Sequence, residues 1–544
     1  MADGYARLTR QPQAVIVHVD VGTQGLGAAV HNASTGRAPV LIFAGLSPFT
    51  QDGELRGSRT EYIHWMQDVP DQKQIVAQYC RFTAEFKTGR NVKQIVHRAL
   101  QFATSEPAGP VYLYGAREIM EEEIEPYTVD TSLWSAVGPA ALPELSVETI
   151  AEALVNAVEP LVITGYSGRN HAAVSELVKL AETVKGLRVM DCGGSDLCFP
   201  GNHRSFVGVR YGVDPLIASA DVVIVIDSDV PWIPKHNKPK RSAKVFHIDS
   251  DPLKNMMPVF YIEALGRWRA DSTTAIKQIN ATLTSSKYTD LLSASRFGQR
   301  WETLGTALMV KEASLQDGAK MPENGLLTVE YLTSEIRKTC PEDTIWVVEA
   351  VTNAIQVCEY LRPTLPGSFI NCGGGGLGWS GGAALGVALA TQAIAKASGA
   401  TKGKFVCQIV GDGTFLFSVP GSVYWIAARY KIPVLTIVLN NVGWNAPRRS
   451  LLLVHPEGAG SKVSNEEINI SFAPTPDYAG IAWAASGRTA WQGVATDARD
   501  LALLLPAAVK AVAEEGRSAA LDAHLGGSVG KFVANGVDNT GDMI

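Results

Sequence analysis

Residues 405–441 read FVCQIVGDGTFLFSVPGSVYWIAARYKIPVLTIVLNN. Two apolar runs of strand length enclose a stretch with helical spacing. The first run breaks at Gly411-Asp412-Gly413 and the second at Asn440-Asn441. Neither run alternates, which is the pattern of a strand covered on both faces in a parallel sheet. The stretch between them, about 419–430, then forms the helix of a βαβ crossover. A carboxylate at the tip of an apolar strand is a cost unless something there uses it. In open parallel sheets ligands lie beyond the carboxyl ends of the strands. One anionic oxygen from Asp412 with amide oxygens from the next strand end suits a hard cation such as Mg²⁺ or Ca²⁺. Mg²⁺ takes few protein ligands and lets phosphates complete its shell. Gly413 and Thr414 open the crossover, where a residue without Cβ admits backbone N–H groups to a phosphate and a helix start favours negative charge. The local chemistry is therefore metal plus diphosphate; the bland alternative is a polar-capped strand pair with no ligand.

The same alternation of apolar runs and helical patterns fills the chain. Strand-like runs include QAVIVHV, APVLIFAG, GPVYLYG, PLVITG, DVVIVID, KVFHID and TIWVVE, with helical stretches such as VKQIVHRALQFA and SVETIAEALVNAV between them. The fold class is α/β, with three doubly wound parallel-sheet domains. A chain of 544 residues is too long for one core. An acidic, then Pro- and Ala-rich stretch at 121–145 reads as a linker, and a second break falls at 311–325. The expected domains are 1–125, 146–310 and 325–527, followed by a Gly- and Asp-containing tail expected to be mobile. A net charge of −6 without a basic patch argues against nucleic acid as a partner. The seven cysteines include no CxxC pair, and Cys192 and Cys198 have no His at ligand spacing, so reduced thiols are expected. The first residues lack the apolar core of a signal peptide. GGGGLGWSGGAALGVALATQAIA, 373–395, is uncharged for about the length that spans a bilayer, but its glycines and its Ser, Thr and Gln mark a buried turn feeding a packed helix. The expected location is the cytoplasm.

GDG, fewer than thirty residues, then NN resembles the thiamine diphosphate signature of the 2-oxo acid decarboxylase and acetolactate synthase family. The resemblance implies that Asp412, the Asn441 side chain and the Gly443 carbonyl hold Mg²⁺, that Thr414 adds a hydroxyl to the diphosphate beside Gly413, and that Asn440 is structural. SFINCGGGGLGWSGGAALGVALA resembles the segment before GDG in that family, which implies that Leu377 wedges under the cofactor and that the Gly375 carbonyl accepts a hydrogen bond from its 4′-amino group. Thr352 or Asn353, at the end of VVEAVTNAIQ, is a further candidate for the diphosphate.

The N-terminal segment resembles the family's pyrimidine-binding domain. VHVDVGTQGLGA is similar to a stretch of benzoylformate decarboxylase and places His18 on an active-site histidine, suited to moving protons near neutrality. His64 is a lesser candidate. Family members carry a glutamate just before DGYAR that protonates the aminopyrimidine; this sequence starts at Met1, after that point. The expectation is a truncated start, and the alternative is a cofactor binder with impaired catalysis. Residues 146–310 resemble the central domain, Rossmann-like, which holds FAD or ADP in some relatives. Its GYSG turn is a weak dinucleotide signal, so FAD is not expected. His236, in DVPWIPKHNKP, could reach an active site but reads more simply as part of a surface loop.

The implied activity is C–C bond cleavage or formation next to a carbonyl of a 2-oxo acid, as decarboxylase or acetolactate-synthase-like carboligase. The implied assembly is a homodimer or homotetramer, because relatives share each active site between two subunits. A metal–phosphate enzyme without thiamine is the remaining class. Which 2-oxo acid and which acceptor are left open by these residues.

Overall fold

The computed structural model describes residues 1–526; the tail that follows 527 lies outside the described residues. Two compact units are present. The first comprises Met1–Pro139 with the short segments Asn255–Pro258 and Cys372–Trp379; the second comprises the remainder.

The first unit holds one parallel sheet of β1 (Gln13–Val17), β2 (Val40–Leu46), β3 (Phe82–Phe86) and β4 (Val111–Ala116), in the order β1-β2-β4-β3. Side chains alternate between two apolar layers. Val40, Ile42, Ala44, Tyr112 and Tyr114 pack on one face, and Leu41, Phe43, Val111 and Leu113 on the other, against helix Val92–Thr104. Both faces are used, as the unbroken apolar runs require.

The second unit holds two six-stranded sheets. One consists of β5 (Pro160–Thr164), β6 (Arg188–Cys192), β7 (Phe206–Arg210), β8 (Val222–Ile226), β9 (Lys244–Asp249) and β10 (Gly266–Arg269), in the order β10-β9-β8-β5-β6-β7. The other consists of β11 (Ile345–Glu349), β12 (Phe369–Asn371), β13 (Val406–Gly411), β14 (Leu435–Asn440), β15 (Trp491–Ala495) and β16 (Ala519–His524), in the order β12-β11-β13-β14-β16-β15. Every strand pair is parallel. In the last sheet Cys407, Ile409, Leu435, Ile437, Leu439 and Leu521 face helix Ala498–Ala513, while Val410, Val438 and Ala520 face Phe415, Tyr424 and Tyr478.

Two readings change in detail and a third stands. The crossover after β13 is two helices, Asp412–Phe417 and Pro420–Tyr430, broken at Val419, whose φ of 53° lies in the left-handed region. The break expected at 311–325 begins inside the helix Ser295–Gly318. The run at 373–395 is, as read, a glycine turn followed by the helix Trp379–Ala397, and among the described residues no helix is long and apolar enough to cross a membrane.

Candidate functional site

In the last sheet the chain runs from β11 outward to β12, then returns to the opposite side of β11 as β13. The reversal opens a crevice at the carboxyl ends of β11 and β13, where parallel α/β sheets take their ligands. Asp412 is the first residue past β13 and is buried. Its Oδ1 accepts from the Gly413 N–H at 2.7 Å; its Oδ2 accepts from the N–H groups of Asn441 at 3.2 Å and Gly443 at 3.1 Å. Burial pushes its carboxyl up to about 6, against the pull of those N–H groups. A nearby cation would pull the same carboxyl back down.

Two further oxygens could join a cation there. One end of the Asn441 amide lies 3.2 Å from Asp412 Oδ2 and 3.0 Å from the Gly443 carbonyl oxygen. With nitrogen at that end the amide donates to both; with oxygen there, three oxygens converge and the donor left to that end is the Asn445 amide nitrogen at 3.1 Å. A cation would favour the second orientation. A carboxylate, an amide oxygen and a main-chain carbonyl form an all-oxygen donor set that fits Mg²⁺. The backbone here is strained to make this turn: Val442 has φ 58° and Gly443 φ 154°, and a Cβ on Gly443 would stand 2.4 Å from the Ile470 carbonyl oxygen. The Trp444 N–H donates to that carbonyl at 2.8 Å.

Gly413 has a steric reason for lacking a side chain, besides the expected one. A Cβ there would meet the Trp444 ring at 2.3 Å, so the indole, and not a phosphate alone, excludes any larger residue. Thr414 follows, buried in the first turn of the same helix. Asn440 is committed to hydrogen bonds within the chain. It is fully buried, its Nδ2 donates to both oxygens of buried Asp522 at 3.1 and 3.3 Å, and its Oδ1 accepts from the Val442 N–H at 3.2 Å. At the neighbouring tip, β11 ends in the turn Val351–Asn353, where Val351 has φ 47° and Thr352 and Asn353 stand beside the crevice. Non-glycine residues with strained backbone collect at functional sites; here Val351, Val419 and Val442 all lie on the segments that follow β11, β13 and β14.

In the first unit, residues 373–376 lie against the helix Gly27–Thr35. Added Cβ atoms would stand 2.3 Å from Gly36 Cα at Gly373, 2.5 Å from Thr35 Oγ1 at Gly374, and 2.8 Å from the Ala28 carbonyl at Gly376. Gly375 alone of the four has nothing within 4 Å of its missing Cβ. Three of the glycines are accounted for by the helix; the fourth borders open space beside Leu377. Arg7, buried, stacks over the Trp379 ring at 5.4 Å and pins the far end of the loop. His31 and Asn32, which hydrogen-bond this loop, carry no motif, and nothing in the sequence marked them.

His18 stands exposed at the end of β1, as the residue before helix Val19–Gln24, and is followed by Val19 at φ 50°. His64 is buried and locally committed: Nδ1 accepts from the Thr60 N–H at 3.3 Å and Nε2 lies 3.6 Å from Glu61. His236 is exposed on a loop anchored by buried Trp232. The glycines of the GYSG turn are taken up by the protein's own chain: a Cβ would meet the Cys192 carbonyl at 2.8 Å at Gly165 and the Leu197 carbonyl at 2.0 Å at Gly168. Beyond β5, β8 and β9, Tyr166 donates to Asp249 at 2.7 Å, and the buried Lys254 ammonium pairs with Asp249 and, at 2.8 Å, with Asp229. None of the seven cysteines is in a disulfide.

Comparison with known proteins finds three matching family models. They are the thiamine pyrophosphate enzyme N-terminal TPP binding domain over residues 1–75, the central domain over 147–257 and the C-terminal TPP binding domain over 350–523. Similar curated proteins include a benzoylformate decarboxylase of Pseudomonas aeruginosa, 25% identical over 82% of this chain and 78% of the relative. The glyoxylate carboligase of Escherichia coli O157:H7 is 24% identical, over 83% and 72%, and the acetolactate synthase of Bacillus subtilis is 24% identical, over 81% and 72%. Among solved structures, a thiamine diphosphate-dependent 4-hydroxybenzoylformate decarboxylase of Rhodococcus jostii RHA1 superposes with a TM-score of 0.72 at 19% identity, over 96% of this chain and 89% of that one. A benzoylformate decarboxylase from Polynucleobacter necessarius gives 0.73 at 18%, over 96% and 89%.

Proposed function

The chain belongs to the thiamine pyrophosphate enzyme family, and on that premise we propose a Mg²⁺-dependent enzyme that cleaves or forms the C–C bond next to the carbonyl of a 2-oxo acid. Bound thiamine diphosphate supplies the nucleophilic carbon and the electron sink for that bond. Everything else falls to the chain. Asp412, Asn441 and the Gly443 carbonyl hold the cation; Gly413 and Thr414 meet the diphosphate, with Thr352 or Asn353 at the adjoining tip. Gly375 and Leu377 shape the aminopyrimidine pocket. His18, exposed at a strand end, moves a proton to or from the reacting carbonyl oxygen, and the strained Val19 beside it fixes its direction. In this reading residues 1–125 take the pyrimidine, 325–527 the diphosphate, and 146–310 the central position. The unbridged thiols support a reducing, cytoplasmic setting.

The observation that carries the proposal is the meeting of the Asp412 carboxylate, the Asn441 amide and the Gly443 carbonyl at the carboxyl ends of β13 and β14, beside the strand-order reversal. The test is a product profile against a panel of 2-oxo acids, pyruvate included, with Mg²⁺ and thiamine diphosphate. CO₂ and an aldehyde identify a decarboxylase; CO₂ with a hydroxyketone, or acetolactate from pyruvate, identifies a carboligase. Tight cofactor uptake without any product would assign the impaired binder instead.

We also propose a homodimer or larger assembly, each active site drawing on two copies. The exposed apolar side chains of the first unit, Ile16 at 77% and Tyr62 at 81% among them, favour a covering partner. Light scattering should return at least twice the chain mass; a fully active monomer would contradict it.

A further inference from the structure

The contacts between helix Gly27–Thr35 and the glycine loop are polar as well as steric. Asn32 is buried, its Nδ2 donates to the Gly376 carbonyl at 2.6 Å, and its Oδ1 accepts from the Gly376 N–H at 3.2 Å. One amide side chain thus grips both sides of one residue's backbone. Beside it, the Gly375 N–H donates to His31 Nε2 at 3.2 Å. The imidazole presents its Nε2 lone pair there. Its ring is held edge-on against Tyr79, centroids 5.5 Å apart. Three hydrogen bonds from two adjacent residues therefore set where Gly375 and Gly376 lie, one residue before Leu377. A glycine run has no side chains of its own to define its path, and glycine is the residue whose backbone is most costly to order. Something outside the run has to hold it.

We propose that His31 and Asn32 are positioning residues: they fix the height of the Gly375–Leu377 loop, and with it the bend that Leu377 imposes on the bound cofactor. This rests on the thiamine diphosphate reading given above. Neither residue touches the reacting atoms; each acts through the loop. Removing either leaves the cation and diphosphate end intact. Affinity should therefore hold while activation of the cofactor fails, because a misplacement of about 1 Å near reacting groups costs ~10²-fold in rate.

The experiment compares the unmodified protein with Asn32→Leu, His31→Leu, His31→Gln and Leu377→Ala. Two quantities are read besides turnover. One is the dissociation constant for thiamine diphosphate in Mg²⁺ buffer, from tryptophan fluorescence. The other is the rate at which the C2 proton of the bound cofactor exchanges into D₂O, by quenched-flow NMR. Asn32→Leu and His31→Leu should hold the dissociation constant within about threefold and slow the exchange about 10²-fold. His31→Gln, whose amide oxygen can still accept the Gly375 N–H, should recover most of the rate. If Asn32→Leu does not fold, Asn32→Asp replaces it, since it keeps the acceptor for the Gly376 N–H and turns the donor toward the Gly376 carbonyl into an acceptor. Unchanged exchange in the His31 and Asn32 variants, with slow exchange in Leu377→Ala, overturns the positioning role and leaves the cofactor reading standing. Unchanged exchange and affinity in Leu377→Ala as well would show that the loop does not meet the cofactor at all.

Discussion

Asp412→Ala should weaken uptake of thiamine diphosphate in Mg²⁺ buffer by on the order of 10³-fold, more than the 10–100-fold that losing a residue behind a metal ligand costs. The substitution removes the one anionic oxygen of the donor set and the acceptor for three backbone N–H groups. The pH dependence follows from the same carboxyl. Held at about 6 by burial, against an ordinary value of 3.8, it is ionised in the cation-free fold only above pH 6. Protons and the cation compete below that, so the dissociation constant for Mg²⁺ should rise about tenfold per pH unit under pH 6 and be flat above it. Stability moves the opposite way. Between pH 3.8 and 6 the folded chain holds more protons at this group than the unfolded chain does, so without a cation its contribution falls as pH rises through that window, by about 3 kcal/mol in all. Thermal melts of the cation-free protein from pH 4 to 7 should show this decline. Adding Mg²⁺ with thiamine diphosphate at pH 7 should reverse it, and Asp412→Ala should abolish both responses. Undiminished cofactor uptake by Asp412→Ala would place the cation elsewhere.

The second large effect is expected from one methyl group. In Gly413→Ala the new Cβ would stand 2.3, 2.5 and 2.8 Å from three carbons of the Trp444 ring. The ring has little freedom to retreat, because Phe417 and Phe472 meet it edge-on at centroid distances of 5.7 and 4.9 Å. Overpacking of this kind costs about 1–3 kcal/mol. Whatever shift relieves it passes to Gly443, the residue before Trp444 and a proposed cation ligand. Gly413→Ala should lower cofactor affinity and turnover by about 10²-fold. Trp444→Leu opens the space, so the double variant should recover at least tenfold over Gly413→Ala alone, a coupling of about 1.4 kcal/mol. Strict additivity of the two changes in cofactor titrations would show that the glycine is needed by something other than the indole.

How much of this was readable follows from where burial is complete. The central strands β2, β4, β5, β8, β9, β11, β13 and β14 are covered on both faces and appear in the chain as apolar runs. The strands absent from those runs are mostly sheet edges: Phe82–Phe86, Phe206–Arg210, Gly266–Arg269, Phe369–Asn371 and Trp491–Ala495. An edge strand meets solvent along one side and tolerates Glu85, Arg267 or Gln492. The two interior strands that escaped, Arg188–Cys192 and Ala519–His524, carry buried Asp191 and Asp522, whose carboxyls burial pushes up. At the candidate site, Asp412 and Asn441 stand out in the sequence because a polar residue ending an apolar run is conspicuous. The reason for Gly413 does not, since it depends on a tryptophan 31 positions later that a turn folds back over it. Nor do His31 and Asn32, which sit more than 340 positions from the glycines they hold.

Four valines, Val19, Val351, Val419 and Val442, are held with φ between 47° and 58°, each at about 1–3 kcal/mol. Glycine would relieve every one of them. A laboratory lineage bred only for heat tolerance would therefore drift toward glycine at these four places and emerge sturdier but idle. Anyone hardening this protein should screen turnover in every round and leave those positions untouched.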